Sequence, residues 1–281
     1  MLTTGIRRRN TVHSMTRSLL CVTDLTMNTD FLERCEWVVV DETGSTNDEV
    51  KRRISDCRKS CLVVQALHQT AGRGQADHRW ESEPGRNLLY SLGVRPGFLS
   101  PKHQFLLLQA ASLSVCRVLN RLHPGFEIKW PNDIYYRHDK VSGTLIENAL
   151  RGTEFQYCVI GTGINVNQTR LSSYPPNPGS LCQILGHSVS LRPLLEEIVA
   201  EFMSLYSELE QGHADRVVAL YREGLYRREG YHLYRDAGGL FRARISGIDP
   251  GGCLRLTDEA GRERTYAFKE VKYVFDHREM P

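Results

Sequence analysis

The chain has 281 residues, 41% of them apolar and 25% charged, with a formal net charge of +3. That length accommodates one large domain and one small one, and the composition excludes a disordered or fibrous chain. The charge is too mild to mark a nucleic-acid surface by itself.

Residues 1–34 carry Arg7, Arg8, Arg9 and Arg17, with no acid before Asp24. A transit peptide shares these features, but no sustained amphipathic pattern accompanies them. The stretch is therefore read as a disordered leader, or as an upstream start with Met15 or Met27 as the true beginning. The β-branched run Cys35–Asp41 predicts a first strand. Ser45-Thr-Asn-Asp48 has a capping-box pattern and predicts a helix to about Cys57. Leu62–His68 is a second strand, and the loop Gln69–Trp80 follows it. In that loop Gly72 and Gly74 are expected to take backbone angles that let N–H groups converge on an anion, with Arg73 between them offering a fork of donors. Asn87–Leu92 is a third strand, after the turn Glu83-Pro-Gly85.

Pro101 opens a long helix with Phe105, Leu108, Ala111, Val115, Val118, Leu119 and Leu122 at helical spacing, read as core packing. Phe126–Trp130 is a short strand, and Lys129-Trp-Pro-Asn-Asp133 is a polar corner with a lysine at one end and a carboxylate at the other. Val141–Ala149 and Phe155–Val166 are two more strands. The glycines of Gly161-Thr-Gly163 predict a close approach to the backbone. Tyr174–Gly179 is a loop, Leu191–Glu210 an amphipathic helix, and a further helix ends near Arg222. From Glu229 onward, glycines punctuate short alternating stretches such as Phe241–Ile245 and Cys253–Leu256, the spacing of a small β-barrel. No apolar run approaches the ~20 residues that cross a bilayer. The eight cysteines form no CxxC pair, so neither a zinc site nor a thioredoxin-type motif is indicated, and reduced thiols are expected.

The glycine loop alone is weak evidence, because it fits neither a P-loop nor the dinucleotide fingerprint. The ordered set is specific. Ser45-Thr-Asn47, Gln69–Gly74 with Trp80, Lys129–Asp133, Lys140–Glu147 and Gly161–Asn167 together resemble the biotin protein ligases, over about residues 35–280. The resemblance implies an α+β fold: a mixed-sheet catalytic domain of the biotin/lipoate ligase type at 35–228 and an SH3-like β-barrel at 229–281. It implies activation of biotin with Mg-ATP to biotinyl-5′-AMP and transfer to one lysine of a biotin carboxyl carrier protein. Ser45, Thr46, Asn47, Gln69, Gly72, Arg73, Lys140 and Gly143 would hold biotin. Arg73 and Lys140 would serve catalysis by offsetting the charge of two anions brought together. Trp80, Asn132, Asp133 and Asn165 would hold the nucleotide, with Asp133 as the carboxylate for magnesium. Trp130 is read as a core aromatic.

The chain departs from the family pattern at Gln75–Arg79, where arginines near the adenylate phosphate are expected, so the adenylate is expected to be held less tightly. With about 34 residues before the first strand, on the order of half a DNA-binding module, no nucleic-acid partner is expected. A cytoplasmic location, no membrane contact and an open question of homodimer formation complete the expectation. A lipoate–protein ligase and a non-catalytic carrier-binding protein are the alternatives. In the C-terminal part, Arg227, Arg228, Arg242 and Arg244 are candidate phosphate or carrier contacts, or merely solvated arginines.

Overall fold

The computed structural model describes residues 29–74, 79–171 and 177–275. The readings of residues 1–28, of Gln75–His78 and of Tyr174–Pro176 lie outside them. The fold starts earlier than the expected leader boundary. Helix α1 (Thr29–Glu33) lies within the stretch 1–34, and its Phe31 and Leu32 pack on the core.

Strands β1 (Cys35–Thr43) and β2 (Cys61–Gln69) run parallel, joined by helix α2 (Thr46–Arg53). Then come β3 (Leu88–Val94), α3 (Phe105–Leu122), β4 (Phe126–Lys129), β5 (Asp133–Tyr136), β6 (Asp139–Arg151) and β7 (Glu154–Ile164). These strands form one mixed sheet in the order β1-β2-β3-β7-β6-β5-β4. Helices α4 (Leu181–Leu185), α5 (Leu191–Glu210) and α6 (Ala214–Glu223) follow. A second, antiparallel sheet closes the chain: β8 (His232–Asp236), β9 (Gly239–Ile248), β10 (Leu254–Asp258), β11 (Glu263–Tyr266) and β12 (Lys272–Tyr273), in the order β11-β10-β9-β8-β12. This is the mixed-sheet domain with a small SH3-like β-domain that the sequence predicts.

Three local differences from expectation have physical causes. Ser45 caps α2, but its hydroxyl accepts from the N–H of Asn47 rather than closing a capping box with Asp48. The Asp48 carboxylate is engaged elsewhere, by Arg73. Helix α2 stops at Arg53, short of Cys57, in a turn where Asp56 and Cys57 N–H both donate to the Arg53 carbonyl, and the Arg95 guanidinium satisfies the free carbonyls of Ile54 and Cys57 beyond it. The polar corner is the turn of a hairpin. Lys129 and Asp133 are register partners, and Asp133–Tyr136 continues as a strand, β5, that the pattern reading passed over.

Helix α3 carries the main core. Its buried residues include Leu107, Ala110, Leu113, Val115, Val118 and Leu119, packed with Leu195, Ile198, Phe202 and Tyr206 of α5. Fully burying one such leucine contributes about 2 kcal/mol, so this helix anchors the large domain. The segment Pro101–Leu122 meets the length and hydropathy of a bilayer-crossing helix, which a search for unbroken apolar runs does not find; here 67% of its apolar 18-residue window is buried inside the protein. The C-terminal sheet docks through Trp130, whose indole Nε1 donates to the Gly252 carbonyl at 2.9 Å. Gly252 has a φ of +96°, and a Cβ there would stand 2.6 Å from the Phe105 ring, so only glycine fits this seam.

Candidate active site

A cavity of about 670 Å³ opens where the first turn of α2, the ends of β2 and β7, the β4–β5 hairpin and the C-terminal sheet meet. That is the size of a small-molecule or cofactor site. Its two ends differ in chemistry.

At one end the groups are neutral. Thr46 donates to the Gln69 Oε1 from its backbone N–H at 2.7 Å and from its hydroxyl at 3.0 Å. Ser91 Oγ lies 2.7 Å from Thr46 Oγ1 and 2.6 Å from Asn47 Oδ1, so one buried hydroxyl ties both residues together. Asn47 Nδ2 donates to Glu147. Gly161 is required by this arrangement, since a Cβ there would stand 2.1 Å from Asn47 Oδ1. Ser45, Thr46, Asn47, Gln69 and Gly161 all line the cavity. Ser91 and Glu147, which support them from behind, received no role in the sequence reading.

The glycine loop is built differently from the expected anion nest. Gly72 does not adopt a left-handed angle; it is required by contact, because a Cβ would meet the Trp80 carbonyl at 2.5 Å. The loop folds back on itself, with Trp80 N–H donating to Gly72 O and Arg73 bridged to Arg79. Arg73 is not an open cation. It forms a bidentate pair with Asp48, both bonds 2.8 Å, and reaches Glu147 at 3.4 Å. The Arg73 hydrogen bonds hold the Asp48 carboxyl below its ordinary value. The Trp80 ring lies over Gly163, where any Cβ would stand 2.4 Å from it, and its Nε1 is buried without a hydrogen-bond partner among the described residues. Trp80 thus floors the cavity with one aromatic face.

At the other end the groups are charged. Arg79, Lys129, Lys140, Lys269 and Lys272 line the cavity, against one carboxylate among the described lining residues, Asp133, while Arg73, which also lines it, is spent on Asp48 and Glu147. Lys140 Nζ pairs with Asp133 Oδ1 at 2.7 Å. The reading of Gly143 as room for a ligand shifts: a Cβ there would come within 3.1–3.2 Å of that ion pair, so it leaves room for Lys140 and Asp133. Lys129 is enclosed by rings, with its Nζ 5.3 Å from the Tyr135 centroid and 5.0 Å from that of Tyr273. Burial pushes its ammonium below the usual lysine value, while Asp133 works in the opposite direction.

Two predicted nucleotide residues take structural partners. Asn132 lines the cavity and donates to the Thr144 carbonyl. Asn165 is absent from the described lining; its amide donates to Gly179 O at 3.1 Å and ties the loop after β7 to the main sheet. From the C-terminal sheet the cavity receives Phe268, Lys269, Val271, Lys272, Tyr273 and Phe275. The four arginines proposed from sequence stand elsewhere. Arg227 and Arg228 line a second, smaller pocket, Arg242 pairs with Glu259, and Arg244 is exposed. The interleaved lysines and aromatics of Phe268–Tyr273 were the signal available.

Comparison with known proteins agrees with this architecture. The Biotin/lipoate A/B protein ligase family matches residues 39–165. The bifunctional ligase/repressor BirA of Bacillus subtilis is 30% identical over 234 residues, spanning 82% of this chain and 70% of that protein. The biotin–[acetyl-CoA-carboxylase] ligase of Mycobacterium tuberculosis is 36% identical over 135 residues, 46% of this chain and 49% of the relative. In structure, the biotin protein ligase of Aquifex aeolicus, solved in complex with biotin and ATP, superposes with a TM-score of 0.69 at 22% identity, covering 85% of this chain and 99% of that one. The Leishmania major biotin protein ligase, solved with biotinyl-5-AMP, gives 0.57 at 23% identity, covering 83% and 98%. Fold and sequence together define the class: the chain belongs to the biotin/lipoate protein ligase family. Within that family, the relatives it resembles are the biotin protein ligases.

Proposed function

We propose that this chain is an ATP-dependent biotin–protein ligase, joining biotin to AMP as biotinyl-5′-AMP and then passing biotin to a lysine of a carboxylase's biotin carrier domain. The observation that carries the reading is one cavity lined both by the neutral hydrogen-bonding group Ser45, Thr46, Asn47 and Gln69 and by the lysines around Asp133. Biotin has a neutral ureido ring at one end of an apolar body and a carboxylate at the other. Thr46, Asn47 and Gln69 suit the ring. The lysines suit the anions: the valerate carboxylate must approach the α-phosphorus of ATP, and cations there offset the repulsion.

In the first step a carboxylate oxygen bonds to the α-phosphorus and pyrophosphate departs. In the second, the carrier's lysine amine bonds to the acyl carbon, AMP leaves, and the amine loses a proton. Lys140 is the cation placed to stabilise charge in both steps. Its pairing with Asp133 fixes its position, and Gly143 leaves the pair its space. Arg73, locked onto Asp48, acts in this reading by shaping the loop that carries Trp80 and Arg79.

Magnesium fits as a passenger of the phosphates. Among the described residues no group of three or more His, Cys, Asp or Glu side chains gathers as a metal site. Asp133 supplies one carboxylate, in keeping with a metal that takes one or two carboxylates plus phosphate oxygens. When bound, it would neutralise phosphate charge.

The reading takes a cytoplasmic enzyme with no nucleic-acid or membrane partner. A gel shift with a biotin-operon fragment tests the first exclusion, and sedimentation tests homodimer formation. The test of the activity is incubation with biotin, Mg-ATP and a biotin carboxyl carrier domain, followed by mass spectrometry of the carrier. A biotin-sized mass gain on one lysine, absent with lipoate, is expected. A gain with lipoate alone, or none with either, overturns the reading.

A further inference from the structure

The neutral end of the cavity has more hydrogen-bond contacts than protons to fill them. Ser91 Oγ meets Asn47 Oδ1 at 2.6 Å and Thr46 Oγ1 at 2.7 Å, and Thr46 Oγ1 meets Gln69 Oε1 at 3.0 Å. These three oxygen–oxygen contacts share two protons, those of the Ser91 and Thr46 hydroxyls, because an amide oxygen brings none. One contact must go without, and the turn of the Asn47 amide decides which. Its Nδ2 faces Glu147 at 2.5 Å. A carboxylate only accepts, so the amide nitrogen points to Glu147 and the amide oxygen to Ser91. Glu147 itself is absent from the described cavity lining. Lys51 Nζ holds its other oxygen at 3.0 Å, and Arg73 reaches the carboxylate at 3.4 Å. Burial works to raise the Glu147 carboxyl, but the bonds from Asn47 and Lys51 outweigh it and hold it below its ordinary value, so the acceptor-only form persists at neutral pH.

We propose that Glu147 is a positioning residue for biotin: acting through Asn47, Ser91 and Thr46, it sets the direction of the hydrogen-bond chain so that the neutral end presents an acceptor to the ligand. With the Asn47 oxygen turned to Ser91, the Ser91 proton lies toward Asn47. Ser91 Oγ then takes the Thr46 proton. The contact from the Thr46 hydroxyl to Gln69, the longest of the three, is the one given up when a ligand N–H competes for it. Gln69 Oε1 keeps the Thr46 backbone N–H at 2.7 Å and has a second lone pair for that ligand N–H. A ureido ring carries N–H donors, so an acceptor is what it requires. Reversal of the chain would send the Thr46 proton to Gln69 and fill that lone pair. The proposal rests on the ligase reading given above.

The test turns on the Lys51 ammonium. In Glu147→Gln that ammonium, a donor only, takes the oxygen of the substituted amide and leaves its nitrogen facing Asn47. Asn47 must then turn its own oxygen toward that nitrogen, and the chain reverses. Glu147→Ala removes the same charge but leaves the Asn47 nitrogen to water, with the direction of the chain unforced. The isosteric change should therefore do more harm than the truncation. In carrier biotinylation by the full chain, the KM for biotin is expected to rise roughly tenfold in Glu147→Gln, the worth of about one misdirected buried hydrogen bond, and about threefold in Glu147→Ala. In both, kcat and the KM for ATP stay within about twofold of wild type. Ser91→Ala cuts the chain, so Glu147→Gln combined with it should give a KM near that of the worse single variant, not the product of the two effects. Greater harm from alanine than from glutamine overturns the proposal, as do multiplied effects in the double variant, an equal rise in the KM for ATP, or a glutamine variant that circular dichroism shows to be unfolded. Each is the mark of a merely structural carboxylate. Failure of the wild-type chain to modify the carrier is a different result, and it overturns the ligase reading itself.

Discussion

The two ends of the cavity are prepared for their ligands in opposite ways. At the neutral end the hydrogen bonds are already made: Ser91, Thr46, Gln69, Asn47 and Glu147 form one connected network before any ligand arrives. At the charged end the balance is left incomplete, with five cationic side chains besides the already paired Arg73 against one carboxylate among the described lining residues. The difference follows from the groups concerned. Neutral donors hold one another in place at little electrostatic cost, and a network made in advance spares the ligand the entropy of ordering it. Cations gathered without counter-ions repel, so that end gains most from binding an anion. The neutral end should therefore be rigid and selective, and the charged end should depend on its ligand for order.

The largest expected effect is at the charged end. Lys140→Ala should lower carrier biotinylation at saturating substrates by roughly 10²- to 10³-fold, the span of a lost electrostatic stabiliser, and should weaken biotin as well through its carboxylate. A biotin affinity in calorimetry unchanged from wild type would show that the carboxylate does not lie at Lys140. At the neutral end, Gly161→Ala forces a Cβ onto Asn47 Oδ1. An overpacking cost of about 1–3 kcal/mol should raise the KM for biotin roughly ten- to a hundredfold, while the KM for ATP stays put. Ser91→Ala removes one hydroxyl and leaves its partners unsupported. About 1 kcal/mol, or roughly fivefold in the KM for biotin, is expected, with unchanged kcat.

The smallest effect concerns the pair that joins the ends. Arg73 holds the Asp48 carboxyl below its ordinary value, so the folded carboxyl is the stronger acid. Its contribution to stability is fully present above the ordinary carboxylate range, near pH 4, and is lost as the pH falls through the lowered value. Thermal melts between pH 7 and pH 3 should therefore show a slightly shallower acid decline for Asp48→Asn. The pair is partly exposed, so raised salt should shrink the difference further.

What could be read before the fold was known follows the same division. Ser45 as a helix cap, and Thr46, Gln69, Asp133 and Lys140 as residues of one site, all sit within short segments whose local pattern signals them, and all line the cavity. The partners that cross the fold were not legible. Ser91 stands in a strand of otherwise apolar or small residues, and only the pairing of β3 beside β2 brings it to Thr46. Asp48 meets Arg73 across 25 positions of sequence, and Lys269 and Lys272 come from a separate sheet. The hairpin strand β5 escaped because it is four residues long, between a proline turn and Arg137, which has a φ of +54°. Asn165 fitted a ligand-binding motif, yet its amide is spent on the Gly179 carbonyl. Motif identity fixes the neighbourhood of a residue, while its bonding partner is decided by register and by elements far away in the chain.

The position of Trp80 also has a spectroscopic consequence. The chain has three tryptophans, and each stands in a different setting. Trp37 lies on the edge strand β1 under the Arg192 guanidinium, Trp130 is buried at the seam between the sheets, and Trp80 floors the cavity against Gly163. With Trp37 replaced by phenylalanine, two emitters remain, and both line the cavity, Trp80 over Gly163 and Trp130 at the seam between the sheets. A change in emission on adding biotin or nucleotide then reports the cavity together with the junction of the two domains.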